Sequence, residues 1–386
     1  MSEVLRASLR RFGTSVFSVV TEQAVAAGAI NLAQGFPDFD PPEELVAAAG
    51  EALRSGLNQY APSIGDPVLR EAVAAHQRDR YGLACDPATE VTVTAGASEA
   101  LAVTLTALLE PGDEVLLVEP CYDLYPYAVV AAGGVPRSLT TSFPDFRVEE
   151  DALRAAVSDR TRVIIVNTPT NPTGRLLGPE VTAVLGELAE RHDAYILSDE
   201  VYEHVLFDGQ QHRPVAADPA CAARTITVSG VSKTFSATGW RIGWAIAPPE
   251  VSAAIRSVHQ FVTFTAPAPL QRAAGVMLGH AATGDYYDQL VADYTERRDV
   301  LLDALKQTDL TVSRPDGTYF VMTRCPADDR SGDDVAYVER LIAERGVAAI
   351  PASAFFSDPA RGRGLVRFAF CKRTSTLRAA GERLAA

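Results

Sequence analysis

The chain has 386 residues and a formal net charge of −14, with 47% hydrophobic and 22% charged residues. This composition is typical of a soluble globular protein, and the length exceeds one core of ordinary size, so we expect two domains. The acidic balance argues against binding to nucleic acid or to a membrane surface, and no apolar run reaches transmembrane length.

The first predicted elements are a short helix over residues 15–23 and a loop over residues 30–42. The loop contains too much proline and glycine for a continuous helix or a central strand. It is either a structural connection or the entrance of an active site. In the second interpretation Gly35 lets a ligand approach the backbone, and Phe36 contributes an apolar lining.

From residue 42 onward, predicted helices and strands alternate. Helices are indicated over residues 42–52, 66–81, 97–109 and 179–192, with another ending near residue 132. Strands are indicated over residues 91–94, 114–119, 162–167, 194–198 and 224–229. This order is typical of an α/β fold with a mostly parallel central sheet and helices on both faces. Ligands of such sheets bind beyond the carboxyl ends of the strands, where most of the polar residues discussed below are placed.

From about residue 285 the pattern changes to a long charged helix over residues 294–306, short strands, and a helix near residues 335–345. This succession favours a smaller α+β domain. We therefore predict three parts of the chain. They are an N-terminal segment (1–42) that joins the small domain, a large cofactor-binding domain (43–284) and a small C-terminal domain (285–386).

Lys233 is one of only three lysines, and it lies among small and apolar residues with no acidic neighbour in the sequence. Desolvation in such a setting favours the neutral amine, which is a nucleophile. Arg241 follows eight residues later and suits a phosphate, while Ser229 and Ser232 add hydroxyl donors. The ordinary alternative is a lysine and an arginine on a solvated surface. An amine beside a phosphate site instead points to a Schiff base with pyridoxal 5'-phosphate.

Pyridoxal phosphate chemistry needs further side chains, and the strand ends supply candidates. A carboxylate must face the pyridine nitrogen, and Asp199 suits this role, although aspartate is also common as a helix N-cap. Asn171 and Tyr202 can donate to the ring oxygen, and Tyr122 can stack on the ring. Arg367 lies on an apolar strand where an unpaired charge is costly, so we expect it to bind an anion, the carboxylate of the substrate.

Three motifs occur in a specific order: Asn-Pro-Thr-Gly at residues 171–174, Ser-Asp-Glu-Val-Tyr at 198–202, and Ser-Lys-Thr-Phe at 232–235 followed by Gly-Trp-Arg-Ile-Gly at 239–243. With them the whole chain resembles the class I/II aminotransferases of PLP-dependent transferase fold type I. It is most similar to the branch of kynurenine, glutamine and methionine aminotransferases, which includes actinobacterial succinyl-diaminopimelate aminotransferases. The resemblance implies an α/β fold with a large pyridoxal phosphate-binding domain and a smaller α+β domain.

The resemblance also implies roles for individual residues. Lys233 would carry the cofactor and move a proton during catalysis, and Asp199 would pair with the pyridine nitrogen. The substrate carboxylate would be held by Arg367, together with Asn171 and the backbone of Gly35.

A second implied site binds the phosphate of the cofactor. Ala97, Ser98 and Arg241 are its expected members, and Tyr60 of a neighbouring subunit would complete it. A homodimer with shared active sites is therefore implied. One departure concerns Gly230, because many relatives have a phosphate-binding serine at this position, and we hypothesise that one of the two serines flanking it compensates.

The five cysteines and six histidines are scattered along the chain. No pair has the spacing of a metal site or a redox motif, so we expect no metal. Unpaired cysteines are typical of a reducing compartment, which predicts a cytoplasmic protein.

The predicted activity is a ping-pong transfer of the amino group of an aromatic or bulky apolar L-amino acid to a 2-oxo acid, with 2-oxoglutarate as the expected acceptor. The motivation is a set of aromatic residues near the predicted pocket segments, namely Phe36, Phe39, Tyr60, Phe261, Phe264 and Phe355. Two alternatives use the same cofactor. One is a cysteine-conjugate β-lyase or another elimination enzyme. The other is a biosynthetic specialist such as a succinyl-diaminopimelate aminotransferase, which an extra basic side chain in the pocket would favour.

A non-enzymatic regulatory domain is the alternative from a different class. The acidic charge opposes DNA binding, and the presence of Lys233 and Asp199 favours catalysis. A serine hydrolase is excluded because the chain has no Gly-x-Ser-x-Gly motif.

Overall fold

A computed structural model of the protein describes residues 4–326 and 332–386. The strands in chain order are β1 (Ile30–Asn31), β2 (Val91–Thr94), β3 (Glu114–Glu119), β4 (Val135–Thr140), β5 (Thr161–Asn167), β6 (Tyr195–Asp199), β7 (Thr225–Gly230), β8 (Gly243–Ile246), β9 (Thr311–Ser313), β10 (Phe320–Arg324), β11 (Val347–Ala348), β12 (Ile350–Pro351) and β13 (Leu365–Ala369). The helices are α1 (Val16–Ala27), α2 (Glu43–Arg54), α3 (Pro67–Tyr81), α4 (Ala97–Leu108), α5 (Leu124–Ala131), α6 (Glu150–Ala156), α7 (Pro179–Arg191), α8 (Val231–Thr234), α9 (Pro249–Val262), α10 (Ala268–Thr283), α11 (Tyr286–Leu305), α12 (Asp334–Arg340) and α13 (Thr374–Ala385).

Seven strands form the central sheet in the order β2-β8-β7-β6-β5-β3-β4. β8 runs antiparallel to its neighbours β2 and β7, and the other neighbouring pairs are parallel. Inner strands are continuous apolar runs because both faces are covered: Val163 and Ile165 of β5 pack into one core, and Ile164 and Val166 pack into the other. The predicted α/β class with a mostly parallel sheet is confirmed.

The carboxyl ends of these strands bring polar residues to one edge of the sheet. β5 ends at Asn167 and β6 ends at Asp199, while β7 leads directly into α8, which carries Lys233. The start of α4 follows β2 after the short turn through Gly96. This is the edge at which open α/β sheets bind ligands.

A second, antiparallel sheet has the order β12-β13-β10-β9. β1 pairs in parallel with β11, so residues near the N-terminus pair with the C-terminal part of the chain. Side chains from these strands, α11 and α13 share one apolar core. The three-part division at residues 42 and 284 stays a prediction.

Some elements gave no clear sequence signal. The patterns missed the short elements β1, β11, β12 and α8 as well as β4, β8, α6, α9, α10 and α13. They placed the start of α11 at residue 294, whereas it begins at Tyr286. β4 lies at the sheet edge with largely exposed residues, so it lacks the apolar run of a central strand. None of the helices in the described part of the chain combines the length and the apolar character needed to span a membrane.

Candidate active site

A cavity of about 800 Å³ opens at this edge of the central sheet. It is lined by most of the residues predicted for the site, namely Gly35, Ala97, Ser98, Tyr122, Asn171, Asp199, Tyr202, Ser232, Lys233, Arg241 and Arg367. Ser229, Phe36 and Tyr60 are the predicted residues that do not line it. One cavity therefore collects side chains from both sheets and from the loop that follows β1.

Lys233 lies on α8, close to aromatic rings. Its Nζ is 5.7 Å from the ring centre of Tyr202 and 5.7 Å from that of Tyr319. Burial lowers the pKa of Lys233 to about 8, because the neutral amine loses less solvation than the ammonium form. A free, nucleophilic amine is therefore accessible near neutral pH.

Asp199 ends β6 and is almost fully buried. Its Oδ2 accepts a hydrogen bond from the Tyr125 hydroxyl at 2.7 Å, and its Oδ1 accepts one from the Val201 N–H at 3.3 Å. The Asn167 side chain donates to the Asp199 carbonyl at 2.7 Å, which fixes the strand end. Burial raises the pKa of Asp199 to about 6. The carboxylate is thus ionised at neutral pH and suits a cationic N–H donor.

The N-terminus of α4 faces the same cavity and forms an anion site. Its N-cap is Gly96, which has no capping side chain, so the first N–H groups, at Ala97 and Ser98, are open to a ligand. Arg241 lies beside them: its Nη2 donates to Ser98 Oγ at 3.3 Å, and its Nη1 donates to the Thr238 carbonyl at 3.3 Å. A guanidinium held by neutral groups at a helix N-terminus suits a phosphate.

Two glycines keep this corner open. A Cβ on Gly96, whose φ is +79°, would lie 2.5 Å from Arg241 Nη2. A Cβ on Gly243 would lie 2.5 Å from the backbone nitrogen of Ala97. Side chains at either position would fill the space between the helix N-terminus and the guanidinium.

The surrounding backbone explains why position 230 is a glycine and not a serine. A Cβ at this position would lie 2.8 Å from the Ile242 carbonyl on the neighbouring strand segment, so a serine does not fit this backbone. The Ser229 hydroxyl donates to Glu203 Oε1 at 2.7 Å, outside the cavity. This contact corrects the predicted phosphate role of Ser229, because successive strand residues point to opposite faces. Ser232 is the flanking serine that lines the cavity.

Arg367 lies on β13 with 1% of its surface exposed. Its Nη1 donates to Asn171 Oδ1 at 2.8 Å, its Nη2 donates to the Ala33 carbonyl at 2.9 Å, and its Nε has no hydrogen-bond partner among the described residues. The guanidinium lies 3.9 Å from the ring centre of Phe320. Burial lowers the pKa of Arg367 to about 10, which still leaves the group charged. A buried cation held by neutral groups is ready for an anionic ligand.

Two tyrosines predicted to meet the cofactor ring are held by other tyrosines. Tyr202 packs edge-on against Tyr319 at 5.2 Å, and Tyr122 packs edge-on against Tyr125 at 5.7 Å. Burial raises the pKa of Tyr122 to about 12 and that of Tyr202 above its usual range, so both hydroxyls are neutral donors. The Tyr319 hydroxyl donates to the Gly35 carbonyl at 2.6 Å, which fixes the loop that reaches the cavity.

Phe36 and Tyr60 do not line the cavity. Phe36 is 45% exposed, and its carbonyl accepts a hydrogen bond from Lys372 Nζ at 2.7 Å. Tyr60 is 82% exposed, and its ring packs edge-on against Phe264 at 5.2 Å. The predicted lining role of the Phe36 side chain is therefore not found in this structure.

The aromatic lining comes largely from residues that the sequence analysis did not identify. They are Phe12, Phe17, Tyr125, Tyr127 and Phe320. The segment before α1 closes one side of the cavity, where the Ser15 hydroxyl donates to Asp123 Oδ2 at 3.1 Å and Phe12 packs edge-on against Tyr127. Only the helix predicted directly after this segment gave a sequence signal, because the segment itself contains no motif.

A second polar cluster lies outside the cavity and is fully buried. His76, Glu203 and His204 meet there, with ligand atoms close enough for a metal ion. The two imidazole Nε2 atoms are 3.0 Å apart, and Tyr81 and Ser229 donate to the Glu203 carboxylate. The ring centres are 5.0 Å apart with the rings nearly perpendicular, so the imidazoles meet edge-on as hydrogen-bonded partners.

The cavity fits pyridoxal phosphate in its chemistry. The uncapped helix and Arg241 suit the phosphate, and Asp199 supplies a buried carboxylate for the ring nitrogen. Lys233 supplies the amine, and the orphaned Nε of Arg367 marks a place for a substrate carboxylate.

Comparison with known proteins agrees with this chemistry. The model of the family "Aminotransferase class I and II" matches residues 27–384. The chain is 41% identical to the methionine aminotransferase of Escherichia coli over 98% of this chain and 97% of that protein. It is 34% identical to the kynurenine–oxoglutarate transaminase of Dictyostelium discoideum, over 97% of this chain and 94% of that protein. The structure of N-succinyldiaminopimelate aminotransferase from Mycobacterium tuberculosis superposes with a TM-score of 0.94 at 40% identity, covering 99% of each chain. The predicted fold type and the predicted branch are both confirmed.

Proposed function

The chain belongs to the class I and II aminotransferase family and is a pyridoxal phosphate-dependent aminotransferase, and we propose that its donor is an aromatic or bulky apolar L-amino acid and its acceptor a 2-oxo acid such as 2-oxoglutarate. One observation carries the proposal: an amine, a buried carboxylate and a buried guanidinium line the same cavity, on Lys233, Asp199 and Arg367. In this proposal the Lys233 amine holds the cofactor, the Asp199 carboxylate pairs with the cofactor ring, and the Arg367 guanidinium binds the substrate carboxylate.

When bound, pyridoxal phosphate supplies the carbonyl carbon that takes up the amino group and a ring that accepts electrons from the substrate Cα. Lys233 then acts at two points. Its amine would hold the cofactor, and as a free base the same amine would move the proton at the substrate Cα. A pKa near 8 suits both tasks at neutral pH, because the amine exchanges protons readily there.

The remaining residues bind and orient. Asp199 would hold the ring nitrogen in its protonated form, and the Tyr202 hydroxyl would donate to the ring oxygen. Arg367 binds the substrate carboxylate with its free donor edge, while Asn171 fixes the guanidinium from the other side. This places the Cα of the substrate near Lys233.

The aromatic lining supports the proposed class of donor. Phe12, Phe17, Tyr127 and Phe320 line the substrate side of the cavity and offer apolar faces to a bulky side chain. This support differs from the residues that the sequence suggested, since Phe36 and Tyr60 face away from the cavity.

We further propose a homodimer in which Tyr60 reaches the phosphate of the neighbouring subunit, because this exposed tyrosine does not line its own cavity. A cytoplasmic setting is proposed from the thiols: Cys85, Cys121, Cys221 and Cys371 are not in disulfides.

An absorption spectrum tests the proposed function directly. The purified protein is mixed with single amino acids under otherwise equal conditions, and the visible band of the bound cofactor is followed. The proposed donor removes the band, and 2-oxoglutarate restores it. If no aromatic or bulky apolar amino acid changes the band, the proposed donor class is wrong. Release of ammonia and pyruvate without an acceptor would instead identify an elimination enzyme.

A second candidate, a specialist for substrates with a distal carboxylate, is favoured by Arg11. This arginine lines the cavity, and among the described residues its one recorded contact is with the ring of Phe12, 4.8 Å away. It is thus the extra basic side chain whose presence favours an N-succinylated or dicarboxylic substrate. An Arg11→Gln variant separates the candidates: KM for a succinylated donor should rise about tenfold, with KM for phenylalanine unchanged. Equal effects on both donors would remove this candidate.

A further inference from the structure

Tyr125 is a buried tyrosine that no sequence motif indicated. It lies on α5 with 3% of its surface exposed, and its hydroxyl donates to Asp199 Oδ2 at 2.7 Å. We propose that Tyr125 is a positioning residue that keeps the Asp199 carboxylate ionised and aimed at the ring nitrogen of the cofactor. The inference rests on the role proposed above for Asp199.

Few donors reach this carboxylate. Among the described residues, the Asp199 side chain accepts hydrogen bonds from Tyr125 and, at a longer 3.3 Å, from the Val201 N–H. The Asn167 side chain and the Thr168 N–H both donate to the backbone carbonyl of Asp199 and so fix the main chain only. In the part of the chain that the structure describes, Tyr125 is therefore the one side chain that donates a hydrogen bond to the carboxylate and fixes its orientation.

The charged groups around Asp199 act in opposite directions. Lys233 on α8 favours the ionised carboxylate, and Glu200, the next residue in the chain, disfavours it. Burial is the largest influence and raises the pKa of Asp199. A hydrogen bond donated to the ionised form opposes that rise, and burial raises the pKa of Tyr125 itself, so its hydroxyl remains a donor throughout the physiological range.

Loss of this donor has a definite consequence. The pKa of Asp199 would rise, and a more basic carboxylate draws the proton away from the ring nitrogen. The ring would then be a weaker electron acceptor. Tyr125 also packs edge-on against Tyr122, the residue expected to stack on the ring, so one side chain supports two contacts to the cofactor.

A titration of the apoprotein tests the role without measuring activity. Pyridoxal phosphate is added to wild-type protein and to Tyr125→Phe between pH 5 and pH 9, and Kd is read from the absorption band. For Tyr125→Phe, Kd at pH 7 should rise about tenfold or more, the order expected for a hydrogen bond to a charged group. Affinity should fall as the pH is lowered and Asp199 becomes protonated. In Tyr125→Phe this fall-off should occur at a higher pH than in the wild-type protein, because the Asp199 carboxylate is protonated more easily.

Two variants isolate the effect. Tyr287→Phe removes a buried hydroxyl that has no partner among the described residues, and it should leave both Kd and its pH dependence unchanged. In an Asp199→Asn background, Tyr125→Phe should cause no further loss of affinity, because the ionisable partner is gone. Titration of the cofactor phosphate also changes Kd with pH, and its contribution is measured separately in the Asp199→Asn background.

A substitution that strengthens the donor gives the opposite sign. Site-specific 3-fluorotyrosine at position 125 makes the hydroxyl more acidic and keeps the ring, so the fall-off should move to lower pH. This protein remains informative even if Tyr125→Phe does not fold. If neither substitution moves the fall-off while wild-type protein binds the cofactor, the role of Tyr125 is wrong and the proposed function stands. If wild-type protein binds no cofactor, the proposed function itself fails.

Discussion

Lys233 and Arg367 are two basic side chains in one cavity, and the loss of solvation affects them differently. The ammonium of a lysine can lose its proton, so burial lowers the pKa of Lys233 to about 8 and produces a nucleophile. A guanidinium keeps its charge even where burial lowers its pKa to about 10, so Arg367 stays a cation and needs an anion. A lysine in this setting can act as a nucleophile and a base, whereas an arginine remains charged and binds an anion.

The pKa of Lys233 predicts how cofactor attachment depends on pH. The neutral amine is the reactive form, and its fraction grows as pH rises through about 8. The rate of attachment to the apoprotein should therefore rise between pH 6 and pH 8 and level off above pH 9. Borohydride trapping followed by peptide mapping measures this rate at Lys233. Lys233→Ala serves as the control and should give no adduct in this peptide. A rate that kept rising steeply above pH 9 would contradict the lowered pKa, because it would show that most of the amine is still protonated there.

Replacing Arg367 by lysine should weaken substrate binding while leaving the cofactor in place. A lysine cannot reach Asn171 and Ala33 while also presenting a second donor edge to a carboxylate. We expect KM for the amino donor to rise about 100-fold, the order found when a buried charged pair loses a partner. Kd for pyridoxal phosphate should change less than twofold. Arg373→Lys, at an exposed position, is the matched control, and an equal rise in KM there would refute this account.

The sequence analysis identified residues whose chemistry follows from their residue type. It missed residues whose role depends on contacts between distant parts of the chain. Lys233, Asp199 and Arg367 could be chosen as candidates because an isolated amine, a carboxylate at a strand end and an arginine in an apolar strand are unusual, and all three line the cavity. Ser229 was misplaced because its side-chain direction depends on the pleat of β7. Tyr125 could not be found, since its hydrogen bond joins α5 to β6, two elements far apart in the chain.

At the scale of elements, the turn from β2 into α4 shows how backbone geometry makes a binding site. The predicted strand and helix were both found, because their apolar patterns are regular. The close approach of Arg241 to Gly96 was not predictable, because it depends on how β8 packs beside β2. β8 itself was missed because Gly243–Ile246 lacks the alternation of apolar and polar residues that marked β2, a strand of the same length.

A Gly96→Ala substitution should impair cofactor binding specifically. Its Cβ would lie 2.5 Å from Arg241 Nη2, so the guanidinium must move away from the phosphate position. We expect Kd for pyridoxal phosphate to rise about tenfold or more. Gly209→Ala provides a close control, because Gly209 has a similar φ of +77° with nothing within 4 Å of its Cβ. Both variants should lose about 1 kcal/mol of stability from the positive φ, as measured by chemical denaturation.

The comparison between these two glycine variants decides the interpretation. If Gly209→Ala weakened cofactor binding as much as Gly96→Ala, the loss would reflect general destabilisation. If neither variant changed Kd, the position of Arg241 would not matter for the phosphate.

At the scale of the whole molecule, the cavity joins parts of the chain that belong to different sheets. Asp199 ends β6 of the central sheet and Lys233 lies on α8, which directly follows β7, while Arg367 comes from β13 in the second sheet and Gly35 from the loop after β1. The bond between Arg367 and Asn171 crosses between the two sheets. A substrate whose carboxylate is bound by Arg367 and whose Cα lies near Lys233 would therefore contact residues from both parts of the fold.

The surface offers an argument for the proposed homodimer. Four large apolar side chains are exposed close to one another in the sequence or in contact: Tyr60, Phe261, Val262 and Phe264, of which Phe261 is 87% exposed. Exposed apolar groups of this kind mark protein–protein contacts. On a molecule with a net charge of −14, charge repulsion opposes self-association, so an apolar contact is needed to overcome it.

Phe261→Asp should therefore convert a dimer into a monomer at micromolar concentration, because it places a charge within the apolar contact. Sedimentation velocity measures the change. Val135→Asp is the control: Val135 is 39% exposed on the edge strand β4, and the variant should sediment as wild type does.

If Tyr60 completes the neighbour's phosphate site, the Phe261→Asp monomer should also bind pyridoxal phosphate more weakly. Tyr60→Phe should weaken binding in the same way while remaining a dimer. A wild-type protein that sediments as a monomer and binds the cofactor fully would refute the shared site. A monomeric Phe261→Asp protein with unchanged Kd would have a different meaning: the wild-type dimer would stand, and only the role of Tyr60 in the phosphate site would be wrong.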